Sequence, residues 1–135
     1  MEKSRPSLIR KPLDGRVLLV DDEESVLGFM RQLLEGWGLQ VVSVRHPDDA
    51  LHWMESEPDR FDLVLTDQTM PGMTGTDLAR ELTRLKPGLP VLLYSGHSEL
   101  LRMAPTDAAG ILKVLTKPVD PIEMLAALTE ALAQR

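Results

Sequence analysis

Several residues stand where short apolar runs give way to polar turns, and their side chains together describe a site for handling an oxyanion. Val20 is followed by Asp21, Asp22 and Glu23, Thr66 by Asp67, the run from Val91 closes on Ser95, and Thr116 is followed by Lys117 and Pro118. Carboxylates brought close together repel and raise one another's pKa unless a cation offsets them. A divalent ion resolves that conflict. Magnesium suits the set because it prefers oxygen donors in octahedral geometry and commonly keeps waters beside one or two carboxylates. In this reading Asp22 and Asp67 are direct ligands, and Asp21 binds directly or holds a water on the ion. A backbone carbonyl just past Asp67, assigned to Thr69, fills a further position. Lys117 supplies a mobile point charge for an anionic oxygen, and Ser95 offers a donor to a second one. The combination is that of a phosphoryl site.

These residues converge only if the elements carrying them share one edge of a sheet. Strand candidates are Val17 to Val20, Leu39 to Val44, Leu63 to Thr66, Val91 to Ser95 and Leu112 to Thr116, each a nearly continuous apolar run. Such runs point to strands covered on both faces. Between them, apolar residues recur at helical spacing, giving inward faces of Val26, Met30, Leu33 and Trp37, of Leu78, Leu82 and Leu85, and of Ile122, Leu125, Leu128 and Leu132. Pro47 followed by Asp48 and Asp49 predicts a helix start, with proline in the first turn and acids near the positive end of the dipole, and that helix runs to about Ser56. A helix between the fourth and fifth strands is expected to be short or irregular, because Pro105 and Gly110 interrupt the segment after Glu99.

Alternating strand and helix units of this kind form an α/β fold, here a doubly wound five-stranded parallel sheet with helices on both faces. The common order 2-1-3-4-5 leaves a crevice at the carboxyl ends of strands 1 and 3, where the acidic residues lie. Residues 1–14 hold Pro6 and Pro12 among Arg5, Arg10 and Lys11 without a sustained period, and read as a tail or linker before a single domain at 15–135.

Four segments in order, Leu18 to Glu23, Leu65 to Gly75, Leu93 to Gly96 and Leu115 to Pro118, resemble the receiver domains of bacterial response regulators and hybrid histidine kinases. The resemblance covers roughly residues 15–134. It implies that Asp67 takes a phosphoryl group from a phosphohistidine on a histidine kinase or histidine phosphotransfer protein, with Asp21 and Asp22 around magnesium. Ser95 is then the switch hydroxyl and Lys117 the contact to a phosphoryl oxygen. It also implies a cis bond at Lys117-Pro118, although X-Pro bonds are in general mostly trans. Such a domain is a signalling element that assists its own phosphoryl transfer and dephosphorylation, not an enzyme acting on outside substrates. A homodimer through the face of the fourth and fifth helices is a further expectation. One departure stands out. Many receivers carry an aromatic residue three positions before the lysine, and here that position is Val114, an ordinary core strand residue.

Composition narrows the alternatives. The 135 residues carry a net charge of −6 and no cysteine, which argues against a nucleic-acid surface and excludes disulfides and thiolate chemistry. No run approaches the ~18 consecutive apolar residues of a membrane span, and no signal-peptide core precedes the first strand, so a cytoplasmic location is expected. The chain stops soon after the last amphipathic stretch, which fits a stand-alone regulator or the terminal receiver of a hybrid kinase with residues 1–14 as the joining segment. Taken singly, Asp21 to Glu23 are an acidic helix entry, Asp67 a turn residue and Lys117 a solvated lysine. Their joint position at strand ends is what favours the phosphoryl site. His46, His52 and His97 lack zinc spacing, and Met70, Met73, Trp37 and Trp53 read as packing. A receiver fold that binds partners without phosphorylation is the main rival. A phosphomonoester phosphatase is disfavoured because Thr69, not a second acid, stands two residues after Asp67, and a flavin carrier would rest on fold alone.

Overall fold

The computed structural model describes residues 12–96, 98–99 and 110–135. Its strands are β1 (Arg16–Val20), β2 (Gln40–Val44), β3 (Leu63–Asp67), β4 (Val91–Ser95) and β5 (Lys113–Thr116), all parallel, in the order β2-β1-β3-β4-β5. The helices are α1 (Glu24–Gly36), α2 (Pro47–Ser56), α3 (Gly75–Leu85) and a C-terminal helix, α4 (Pro121–Leu132). The expected helix between β4 and β5, with the dimer face that involves it, falls mainly outside the described residues, as do His97 and the tail up to Lys11.

The period-2 alternation of a strand sends successive side chains to opposite faces. Val17 and Leu19 of β1 accordingly join Leu27, Met30 and Leu34 of α1 and Met124 and Leu128 of α4, while Leu18 and Val20 join Ala50 and Met54 of α2 and Leu78 and Leu82 of α3. Burying one such large side chain contributes roughly 1.5–3 kcal/mol, so the two clusters clamp the sheet from both sides. The central strands β3 and β4 are buried at every position. The expectation of coverage on both faces fails at the two edges. In β2, Gln40 is exposed and Val42 to Val44 are half-buried, and in β5 both Lys113 and Thr116 are exposed. An edge strand has a neighbour on one side only, and polar residues there leave its margin in water.

Helix faces differ from expectation in detail. In α1 the buried stripe is Leu27, Met30 and Leu34, with Val26 and Leu33 half-buried at its margin. In α4, Leu128 and Leu132 are buried as expected and Leu125 packs half-buried against the core, but Ile122 is 62% exposed, and Met124, Ala127 and Ala131 complete the buried face. Two overlapping apolar stripes exist on that helix. The buried one includes Ala127 and Ala131. Pro47 opens α2 and Ser56 closes it, as expected.

Candidate phosphoryl and metal site

Because every strand is parallel, every strand's carboxyl end lies on one edge. Val20 pairs with Thr66, Asp67 with Tyr94, and Ser95 with Thr116, so Asp21, Asp67, Ser95 and Lys117 are delivered together. Asp21, Asp22 and Asp67 each bring a carboxylate oxygen within 4.8 Å of the others. Lys117 Nζ lies 2.9 Å from Asp67 Oδ1. That contact is an ion pair at hydrogen-bond distance, and Oδ1 has no further hydrogen-bond partner among the described residues.

Asp21 is buried and accepts one hydrogen bond on each oxygen: Tyr94 donates its hydroxyl to Oδ2 at 2.6 Å, and the Glu23 amide donates to Oδ1 at 2.9 Å. Asp67 is held by its main chain. Gln68 N donates to the Tyr94 carbonyl and Gly75 N to the Gln68 carbonyl, while the Gln68 side chain accepts from Thr76 N at 2.9 Å. The Thr74 hydroxyl accepts from Asp77 N and caps α3. This staple explains the glycine at 75. A Cβ there would sit 2.3 Å from the Asp67 carbonyl oxygen and 2.5 Å from Leu93 Cδ1, so only glycine lets α3 begin against the end of β3.

Electrostatics follow from this packing. Burial pushes the Asp67 carboxyl up, the contact with Lys117 opposes it and the charge of Asp21 adds to it, leaving the group above its ordinary value. Burial alone would pull the Lys117 ammonium down, but its contact with Asp67 and the charges of Asp67, Glu99 and Asp21 outweigh burial and raise it. Tyr94 is raised, first by burial and then by its bond to Asp21, so the phenol keeps its proton. Three carboxylates crowded together and offset by a single ammonium fit a hard, oxygen-preferring divalent ion. Asp21, with one lone-pair direction on each oxygen already taken, has capacity left toward such an ion.

The structure thus brings Asp21, Asp22, Asp67, Ser95 and Lys117 to one edge, with Lys117-Pro118 in cis. Val114 is half-buried on β5 rather than fully in the core. Sequence reasoning missed two participants. Tyr94 is one, its ring also 5.6 Å from Lys117 Nζ. The other is Glu99. Its Oε1 accepts from Gly96 N at 2.7 Å and Ser95 Oγ at 3.2 Å, and its Oε2 accepts from the Thr69 hydroxyl. The Thr69 bond first, then the Gly96 amide, hold this carboxyl below the usual range. Gln68, Thr69, Met70, Thr74 and Glu99 line an adjoining cleft of about 210 Å³.

The profile of the response regulator receiver domain matches residues 17–129. A phosphoglycerate transport system transcriptional regulatory protein of Salmonella typhimurium is 36% identical over 119 residues, covering 88% of this chain and 28% of that protein. The transcriptional regulatory protein ZraR of the same species is 34% identical over 126 residues, 93% of this chain and 28% of its own length. This chain therefore spans little more than a quarter of those curated relatives. Among solved structures, a response regulator receiver domain protein from Clostridium thermocellum superposes with a TM-score of 0.83 at 28% identity, covering 88% of this chain and 94% of that one. With matching topology, acidic edge and lysine, the chain belongs to the response regulator receiver domain family of two-component signalling.

Proposed function

We propose that this chain is a phosphoacceptor, in which Asp67 takes a phosphoryl group from a phosphohistidine on a histidine kinase or histidine phosphotransfer protein. Magnesium is assigned to Asp21, Asp22, Asp67 and the carbonyl of Thr69. The observation that most supports this is the ion pair of Lys117 with a buried Asp67 beside two further carboxylates. An Asp67 oxygen forms a bond to phosphorus while the phosphorus–nitrogen bond breaks, and the imidazole departs with the electron pair and takes up a proton from water. Transfer of this kind asks for alignment and charge neutralisation more than for acid–base chemistry. Magnesium, when bound, supplies neutralising positive charge among the carboxylates and the phosphoryl oxygens. Lys117 carries a charge that follows the acceptor oxygen, and Ser95 offers a hydroxyl to the incoming group.

The new dianion draws Ser95 and Lys117 inward and biases the loops after β3 and β4 between two arrangements, which is the output. The same residues assist loss of the group to water. We assign residues 15–135 to the receiver, 1–14 to a joining segment, and the domain to the cytoplasm. Both curated relatives are named as transcriptional regulators, which fits an output in transcription, while the net charge of −6 disfavours nucleic-acid contact by this domain itself.

Incubation with acetyl phosphate and magnesium is expected to add the mass of one phosphoryl group, and Asp67→Asn to abolish it. Absence of an adduct with acetyl phosphate and with a panel of phosphorylated kinases would reject the reading. Partner binding that is unchanged in Asp67→Asn would favour the phosphorylation-independent module.

A further inference from the structure

Resting on the phosphoacceptor reading, we propose that Glu99 is an internal competitor for the phosphoryl group, bridging the loops after β3 and β4 until the modified Asp67 displaces it. Its carboxylate reaches the Thr69 hydroxyl on one loop and Ser95 Oγ and Gly96 N on the other. Two oxygens thus close a gap that spans two separate strand ends. Ser95 has one hydroxyl hydrogen, shared here between Glu99 Oε1 at 3.2 Å and the Gly96 carbonyl at 3.3 Å. That hydrogen cannot also serve a phosphoryl oxygen.

Charge makes the exclusion stronger than a shared donor alone. A phosphoryl group on Asp67 brings about −1.5 to −2 charges. Glu99 already interacts with Lys117 and holds the Ser95 hydroxyl, so the two anions compete for the same cation and donor, and like charges repel. Gly96 belongs to the same arrangement, because a Cβ at that position would lie 3.3 Å from Glu99 Oε1 and crowd the clamp. Phosphorylation and the Glu99 bridge are therefore mutually exclusive. Release of Glu99 frees Ser95 and Gly96 at the end of β4, a means of reporting the modification in a domain whose usual aromatic position is Val114.

The test compares labelling rates of the full chain with acetyl phosphate and saturating magnesium, read as the mass-shifted fraction against time, for wild type, Glu99→Gln and Glu99→Ala. Thermal unfolding confirms that each variant is folded. Alanine should label roughly tenfold faster, the size expected when a charge-assisted hydrogen bond no longer has to be released first. Glutamine, which keeps an acceptor but loses the charge, should fall between. Beryllofluoride, an unreactive phosphoryl analogue, should bind the alanine variant more tightly by a similar factor. A purely structural role would shift the unfolding temperature and leave labelling and beryllofluoride affinity alone. Equal rates in all three proteins, or slower labelling in Glu99→Ala, overturn the competitor while the phosphoacceptor reading stands. Failure of every protein to label or to bind beryllofluoride removes both.

Discussion

The two halves of the carboxyl edge are held in different ways. On the β1–β3 side, Asp21 is fixed by Tyr94 and a main-chain amide, and Asp67 by a loop stapled to the start of α3. On the β4–β5 side, Ser95 and Gly96 are tied to one half-buried glutamate, and Lys117 extends a flexible stem with 37% of its side chain exposed. The acidic half is a platform assembled before any ligand arrives. The hydroxyl and ammonium half is made of contacts that can be exchanged without disturbing the core. A switch needs both, because a rigid site alone has nothing to report and a loose one binds nothing well.

The sharpest way to break this contrast is at Lys117, a cation that crosses from the movable half to the acceptor. Lys117→Gln keeps a donor of similar length and removes the charge. Labelling by acetyl phosphate should fall about 100-fold, in the range found when a preorganised electrostatic contact to a developing charge is deleted. Stability without magnesium should also fall, since glutamine leaves the buried Asp67 carboxylate without its cation, though by less than for a fully buried pair because Lys117 is partly solvated. A rate within a few-fold of wild type would mean that neutralisation at Asp67 does not depend on the movable half.

Much of this contrast was legible in the sequence, and the part that was not has a physical reason. Asp21, Asp22, Asp67, Ser95 and Lys117 could be read because each follows an apolar run, and a parallel sheet sends all such positions to one edge. Gly75 was visible as part of a motif, but its cause, the approach of α3 to the Asp67 carbonyl, is a three-dimensional fact. Tyr94 sits inside a buried run where an aromatic body is expected, and only its placement across the strand from Asp67 aims its hydroxyl at Asp21. Glu99 lies beyond a strand end, and only its hydrogen bonds to Thr69, Ser95 and Gly96 in the fold reveal it. Ile122 fell on the wrong side because apolar spacing on α4 permits two stripes, and packing against the sheet chooses between them.

Tyr94 offers a smaller effect that probes the anchoring of Asp21. Tyr94→Phe keeps the packed ring and deletes the donor to Asp21 Oδ2, leaving a buried carboxylate oxygen without its partner. That should cost about 1–3 kcal/mol in urea unfolding without magnesium. The cost should shrink when magnesium is added, because the ion compensates the same oxygens. A loss that is equal with and without magnesium would separate Tyr94 from the metal site and leave it a packing residue.

The smallest effect concerns the ionisation of Asp67 in metal-free protein, and here the sign carries the information. Its folded-state pKa lies above 3.8, so the folded chain holds the proton more tightly than the unfolded chain does. The stability this group contributes is then fully present below pH 3.8 and is lost as pH rises through the higher folded value. Asp67→Asn removes that titration, so the difference in stability between variant and wild type should move in the variant's favour as pH rises through this window. Magnesium should reverse the comparison, because it binds the ionised wild type and stabilises it by mass action. If the difference instead moves toward wild type without metal, the attraction of Lys117 outweighs burial and the repulsion from Asp21. The acidic half would then be a satisfied ion pair and not a platform waiting for a cation.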